Sequence, residues 1–419
     1  MTKHWFTLLI VSCFAAGAHA DNMNALSHGC RFDFGSQAQA SPNSSIVTPE
    51  TLYSTQLGYG WDFGTEIAAA HRGEGMMGSA PLLFSVTLPE GSYAVTVRLG
   101  GAAVDTTTTV KAESRRLMLE EVRVPAGEMS TRTFLVHVRT PAIVSGGQVR
   151  LKEREQPYLQ WDEKLTLEFN GARPCVSSVE IRPVPAGTPT VYIAGDSTVC
   201  DQPDPPYNSW GQMLTRFFKP EVVIANYAMS GETIRSSLGA RRFDKIFSTM
   251  QPGDYLFMQF GHNDMKDKSP DARETYRKNL EDLIDKTRML QATPVLITSM
   301  ERKKGVTAPT LRGYPQIVRE VAEQQGVTLI DLNAMSKMLY AALGEDLGKA
   351  FADGSHHSNY GSYQLAKCIV SEIRQTDLKL AASVLDELPR FDPSAPDAVA
   401  TFVMPVSPQI LDNKKPEGN

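Results

Sequence analysis

The sequence predicts two folded parts. Residues 30–186 read as an all-β jelly-roll or sandwich domain, and residues 190–390 as a three-layer α/β/α domain with a parallel five-stranded sheet. Three observations carry this. Before Thr190, short strand-like runs follow one another with turn signals between them. After Thr190, short apolar runs alternate with helical stretches, the pattern of a parallel sheet covered by helices on both faces. At 419 residues, 42% hydrophobic and 21% charged, the chain can build two or three ordinary globular domains.

Taken in order, the chain opens on a predicted signal peptide, residues 1–20. Lys3 precedes an apolar stretch over 5–17, and Ala18-His19-Ala20 has the small-x-small pattern of a signal-peptidase site. Cleavage after Ala20 and export, periplasmic or secreted, are expected. The rival is a lipoprotein signal, because Ile10-Val11-Ser12-Cys13 loosely matches a lipobox. In the β part, residues 82–99 alternate apolar and polar around a turn at Pro89-Glu90-Gly91. Further strands are expected over 108–112, 133–138, 148–152, 165–169 and 176–181. Pro183-Val184-Pro185-Ala186-Gly187 reads as a linker. The α/β part has strands predicted over 191–194, 222–226, 255–259, 295–298 and 328–332. Its helices are predicted over 210–218, 234–250, 272–290, 314–325 and 360–373. Residues 391–419, rich in Pro, Asp and Lys, read as a C-terminal tail draped on the surface or partly disordered.

The formal charge of −5 gives no reason to expect nucleic acid or an anionic membrane surface as partner. No stretch outside the leader approaches the ~18 apolar residues of a membrane span. Oligomeric state is not legible. Cys30, Cys175, Cys200 and Cys368 remain after removal of the leader and allow three pairings. Position suggests Cys30 with Cys175; Cys200 and Cys368 either meet or stay as buried thiols.

Four islands carry chemistry: Gly195-Asp196-Ser197, Gly231, Gly261-His262-Asn263-Asp264 and Asp353-Gly354-Ser355-His356. Open α/β sheets place their sites at the carboxyl ends of the strands, and three islands lie there. A serine hydroxyl needs an adjacent base to act as nucleophile. His356 can supply it, an ordinary imidazole titrating near ~6.5, and Asp353 can orient the ring. Spacing from Asp353 favours His356 over His357. Ser197, Asp353 and His356 are therefore the candidate catalytic residues. The backbone N–H groups of Ser197 and Gly231 and the Asn263 side-chain amide are the candidate oxyanion hole. His262 is read as structural. No Gly-x-Ser-x-Gly elbow, His-Glu-x-x-His or Cys-x-x-Cys occurs, so neither an α/β-hydrolase elbow nor a zinc site is supported. No metal or organic cofactor is expected.

These islands resemble the four blocks of the SGNH-hydrolase (GDSL esterase) superfamily, Ser197, Gly231, Asn263 and His356 matching its name-giving residues. Ala194-Gly195-Asp196-Ser197-Thr198-Val199, Gln259-Phe260-Gly261-His262-Asn263-Asp264, Leu311-Arg312-Gly313-Tyr314-Pro315 and Leu329-Ile330-Asp331-Leu332 look like segments of rhamnogalacturonan acetylesterases. The resemblance covers roughly 190–390 and implies a flavodoxin-like three-layer α/β/α SGNH-hydrolase domain. It implies an esterase removing acetyl groups from acetylated plant cell-wall polysaccharide or oligosaccharide, rhamnogalacturonan first, through an acetyl-serine. An acetyl-xylan or broad short-chain esterase is the alternative, and a non-catalytic carbohydrate-binding protein the rival of another class. Phe32-Asp33-Phe34-Gly35 and Gly58-Tyr59-Gly60-Trp61-Asp62 resemble a galactose-binding-like β domain. Tyr59, Trp61 and Trp161 either stack on sugar or fill its core. The second block departs from the family, with Glu232-Thr233 where many members carry Arg-Ser. For an anionic pectic substrate, Arg235 and Arg302 are the candidate binding residues, from a wider basic set of Arg241, Arg242, Lys266, Lys268, Lys303 and Lys304.

Overall fold

The computed structural model describes residues 29–35, 44–65, 75–411 and 415–417. The predicted signal peptide, with Cys13, lies outside them. The chain forms two compact units. One holds the described residues up to Glu113 together with Leu119–Thr140 and Leu159–Val184. The other holds Ser114–Met118, Pro141–Tyr158 and the chain from Pro185 onward.

The first unit is built of two sheets. One runs in the order Ser44–Val47, Cys30–Phe34, Cys175–Pro183, Gly91–Gly100, Met129–Val138, with Met76–Met77 paired beside Cys175–Pro183. The other runs Tyr59–Trp61, Leu82–Thr87, Lys164–Arg173, Thr106–Ala112, Arg116–Val124. Alternation decides which side chains turn inward: along Gly91–Gly100, Tyr93, Val95, Val97 and Leu99 are buried. Phe32 and Phe34 of the first sheet meet Phe84 of the second at ring-centroid distances of 5.1 and 5.0 Å. Trp61 lies in this core, its indole N–H donating to the Thr48 carbonyl at 3.0 Å. Trp161 is buried under the Arg139 guanidinium, 4.4 Å from its ring centroid. Both tryptophans thus serve the interior. The run predicted over 148–152 forms only an isolated bridge between Ala142 and Gln148.

The expected Cys30–Cys175 bridge is absent, and the four cysteines among the described residues are free thiols. The register explains why. Cys30 sits opposite Ile181 on the strand that begins at Cys175. Six residues of strand separate the two by roughly 20 Å at ~3.3 Å per residue, far beyond the ~7 Å a disulfide spans. Cys200 and Cys368 are buried, and burial raises both thiols above their ordinary range.

The second unit contains a five-stranded parallel sheet in the order Val223–Asn226, Thr190–Gly195, Tyr255–Gln259, Thr293–Ile297, Thr328–Ile330. Thr190–Gly195 and Tyr255–Gln259 are buried at every position, which is why they read as unbroken apolar runs. Trp210–Met213, Leu332–Leu343 and Asn359–Ile373 form one group of touching helices; Ile234–Gly239, Ala272–Met289 and Tyr314–Gln325 form another. Helix Tyr314–Gln325 matches its predicted bounds because Pro315 opens it and Gly326, at φ 58°, closes it. The helix predicted over 234–250 is two, because Arg241 adopts a left-handed φ of 63° between Ile234–Gly239 and Arg242–Thr249. Helix Leu332–Leu343 was not predicted. Its N-cap Asp331, which accepts from the Ala334 N–H, falls inside the run assigned to the last strand. The chain reverses direction across the sheet at Thr190–Gly195, whose two neighbours lead to opposite edges. Such a switch point opens a crevice at the carboxyl ends of the strands.

Candidate active site

Thr190–Gly195 delivers the chain to Asp196-Ser197-Thr198 at that crevice. Glycine is required at 195: a Cβ there would stand 2.6 Å from Val199 Cγ2 and 2.7 Å from the Gln259 carbonyl oxygen. Asp196 ties the turn. Its Oδ1 accepts from the Thr198 N–H at 2.9 Å and the Thr198 hydroxyl at 2.8 Å, and its carbonyl accepts from the Val199 and Cys200 N–H groups, both at 3.0 Å. From the adjoining strand, Gln259 Nε2 donates to Thr198 Oγ1 at 2.9 Å while Gln259 Oε1 accepts from the Trp210 indole at 2.8 Å. The serine therefore sits on a turn with little freedom.

Ser197 is 2% exposed and His356 1%. His356 Nε2 lies 2.9 Å from Ser197 Oγ, and His356 Nδ1 lies 2.8 Å from Asp353 Oδ2. The other Asp353 oxygen accepts from the backbone N–H groups of Ser355 and His356, both at 2.8 Å. Burial works to raise the Asp353 carboxyl, but the bonds from the His356 ring and these two N–H groups outweigh it and hold the carboxyl below the usual carboxylate range. The edge of the Tyr207 ring covers His356, centroids 5.8 Å apart. His357 turns into the interior, where its Nε2 meets the Tyr340 hydroxyl at 2.7 Å. Burial first, and the charge of His356 second, push its imidazole down to about 3. Of the two neighbouring histidines, the ring of His356 lies against Ser197 and that of His357 against Tyr340.

Gly231 has φ 76° at the third position of a turn closed by the Glu232 N–H donating to the Met229 carbonyl at 3.2 Å. A positive φ at this position favours glycine. Asn263, buried, donates from Nδ2 to the Glu232 carbonyl at 3.0 Å and accepts on Oδ1 from Lys266 Nζ at 3.1 Å. These two bonds fix which end of the amide carries hydrogens and leave one N–H uncommitted by them. His262, buried, has its Nδ1 3.5 Å from Asp196 Oδ2.

The predicted binding cations fare differently. Arg235 is exposed and 3.4 Å from Asp267. Arg302 is half-buried and donates to the His262 carbonyl at 3.3 Å. Arg241 pairs with Asp244 at 2.8 Å, and Arg242 is buried against Glu155 at 2.5 Å. Sequence reasoning missed Lys152 and Arg154, which lie about eighty residues upstream of the second island with only a short charged run to mark them. Lys152 Nζ donates to the Ser230 carbonyl at 2.6 Å and pairs with the buried Glu232 carboxylate at 3.1 Å. The unusual Glu232 of the second block thus has a partner: it anchors a lysine beside Gly231. Arg116, also missed, is buried 3.1 Å from Asp201. An imidazole held between a hydroxyl and an ionised carboxylate can take the hydroxyl proton and return it to a leaving group.

Residues 193–365, which contain all four islands, match the GDSL-like Lipase/Acylhydrolase family. The chain is 32% identical over 212 residues to rhamnogalacturonan acetylesterase RhgT of Bacillus subtilis, covering 45% of this chain and 91% of that protein. It is 27% identical over 407 residues to the uncharacterized esterase YxiM of the same organism, covering 89% of this chain and 98% of that one. The crystal structure of the Bacillus subtilis YxiM protein covers 84% of this chain and 99% of that chain, with a TM-score of 0.46 at 24% identity.

Proposed function

Because the chain belongs to the GDSL-like lipase/acylhydrolase family, we propose that it is a carbohydrate acetylesterase acting on acetylated pectic polysaccharide, with rhamnogalacturonan as its substrate. The observation that carries the chemistry is the hydrogen-bonded line Asp353–His356–Ser197, with links of 2.8 and 2.9 Å. The substrate is supported by the likeness to RhgT.

In this reading Ser197 Oγ attacks the acetyl carbonyl as His356 Nε2 takes the hydroxyl proton, and Asp353 stabilises the imidazolium. The oxyanion is met by the backbone N–H groups of Ser197 and Gly231 and by Asn263 Nδ2. Collapse expels the sugar alkoxide, which recovers the proton from His356. Water, deprotonated by the same ring, then attacks the acetyl-serine; the adduct expels Ser197 Oγ, which takes the proton back from His356, and acetate is released. Every proton in this cycle moves between His356, the two hydroxyls and water, so no cofactor is called for. We assign the first unit to a galactose-binding-like domain and the chain to the exported proteins, processed after Ala20.

The test is acetate release from acetylated rhamnogalacturonan and from acetylated xylan, compared at equal ester concentration. The reading expects the first to be turned over faster. Release confined to xylan refutes the substrate.

A further inference from the structure

The mouth of the site holds a piece of the chain itself. Glu417 sits so close to Gly231 that a Cβ on that glycine would stand 2.6 Å from Glu417 Oε2 and 2.8 Å from its Cβ. Its two carboxylate oxygens meet different cations. Oε2 lies 2.9 Å from Lys152 Nζ, and Oε1 lies 3.6 Å from an Arg154 terminal nitrogen. Two residues earlier, Lys415 Nζ stands 3.8 Å from Asp353 Oδ2. Lys152, Arg154 and Glu417 border a cleft of about 970 Å³ that Tyr158, Asp204 and Leu411 also line.

Both cations are held from behind. An ammonium has three protons. Lys152 spends one on the Ser230 carbonyl and one on Glu232, a carboxylate only 1% exposed, and the third faces Glu417. Arg154 donates from Nε to the Tyr158 hydroxyl at 3.1 Å and from a terminal nitrogen to the Lys415 carbonyl at 3.3 Å, two residues before Glu417. Lys152 and Arg154 together present two cationic donors spaced for the two oxygens of a single carboxylate.

We propose that Lys152 and Arg154 form a subsite for the carboxylate of a uronate unit in the substrate, and that Glu417 occupies it as a tethered competitor in the free protein. The proposal rests on the acetylated-pectin reading above. It supplies what Arg235 and Arg302, each engaged elsewhere, do not: a paired cationic grip beside the glycine proposed for the oxyanion hole. A uronate seated there brings an acetyl ester on its own or an adjoining ring towards Ser197. Glu417 must leave first, and Lys415 leaves with it.

The test uses the full chain with two substrates, acetylated rhamnogalacturonan oligosaccharide (anionic) and p-nitrophenyl acetate (neutral). Arg154→Gln is the cleaner variant, because Lys152 also touches the turn that carries Gly231. It should raise KM for the anionic substrate at least tenfold more than for the neutral one, the scale of one lost charge-assisted hydrogen bond. Glu417→Gln should lower KM for the anionic substrate severalfold. Equal effects of Arg154→Gln on both substrates overturn the subsite. An unchanged or higher anionic KM in Glu417→Gln overturns the competitor. An unaltered protein that cleaves only the neutral ester overturns the pectin reading, and the subsite with it.

Discussion

Asn263→Ala tests the oxyanion hole most sharply. The Asn263 amide offers two N–H groups, and one is already committed to the Glu232 carbonyl at 3.0 Å. The substitution therefore removes a single donor from the three proposed, with both backbone donors left in place. Loss of one such donor costs about 2.7–4 kcal/mol in the transition state, or roughly 10²–10³ in kcat. KM should change much less, because the full negative charge exists only when the carbonyl has been attacked. Folding should survive. The Glu232 carbonyl loses a partner at a cost of about 1 kcal/mol, small against a typical domain stability of about 5–15 kcal/mol. Asn263→Asp sharpens the result: it keeps the shape but replaces the donor by an acceptor, so its kcat should fall further than that of the alanine variant. The assay is steady-state hydrolysis of p-nitrophenyl acetate, with circular dichroism and a thermal midpoint on the same samples. An unchanged kcat with a raised KM, in folded protein, would mean that Asn263 grips substrate rather than the oxyanion.

Ser197→Ala should abolish turnover in folded protein, since the acyl acceptor is gone; residual activity within tenfold of the parent refutes the nucleophile. His356→Ala should be nearly as damaging, while His357→Ala should lower the thermal midpoint and keep most of kcat, its partner being the buried Tyr340 hydroxyl; the reverse ranking refutes the choice of base. The depressed His357 pKa makes its contribution to stability depend on pH. Between an unfolded value of about 6.5 and a folded value of about 3, the unfolded chain binds a proton that the folded protein refuses. Stability contributed by this residue is therefore full above about 6.5 and is lost as pH falls towards 3. Urea unfolding from pH 7 to pH 4 should show a shallower acid decline in His357→Gln than in the parent, and identical slopes would refute it.

The sequence made the parallel sheet legible because Thr190–Gly195, Val223–Asn226 and Tyr255–Gln259 are buried at every position and read as largely apolar runs. It made the Ser197, Asn263 and His356 islands legible because each sits just past such a run or just before a capped helix. The misses have physical causes. Helix Leu332–Leu343 was hidden by Asp331, which looks like a strand end and serves as a cap. The break at Arg241 depends on a left-handed residue that is not itself a glycine; Gly239, two residues earlier, is a signal that a helical pattern tolerates. The cysteine pairing failed because proximity to domain ends says nothing about strand register. Lys152 and Arg154 were invisible because their meaning comes from Glu232 and Glu417, far away in sequence. Charge alone pointed instead to arginines nearer the motifs, and those have other partners.

The pairing of Arg116 with Asp201 and of Arg242 with Glu155 bears on how this protein can be cut or joined. Arg116 and Glu155 come from within the first 160 residues, yet both belong to the compact body that carries Ser197. A polypeptide begun at Pro185 would lose them and leave Asp201 and Arg242 as buried charges without these counter-ions. Breaking a buried pair from one side costs about 3–5 kcal/mol. Two such losses are comparable with the whole stability of an ordinary domain. The linker is therefore only one of several places where the chain passes from one unit to the other. A shortened chain would have to supply another cation beside Asp201 and would leave Arg242 to Glu232, 3.8 Å away.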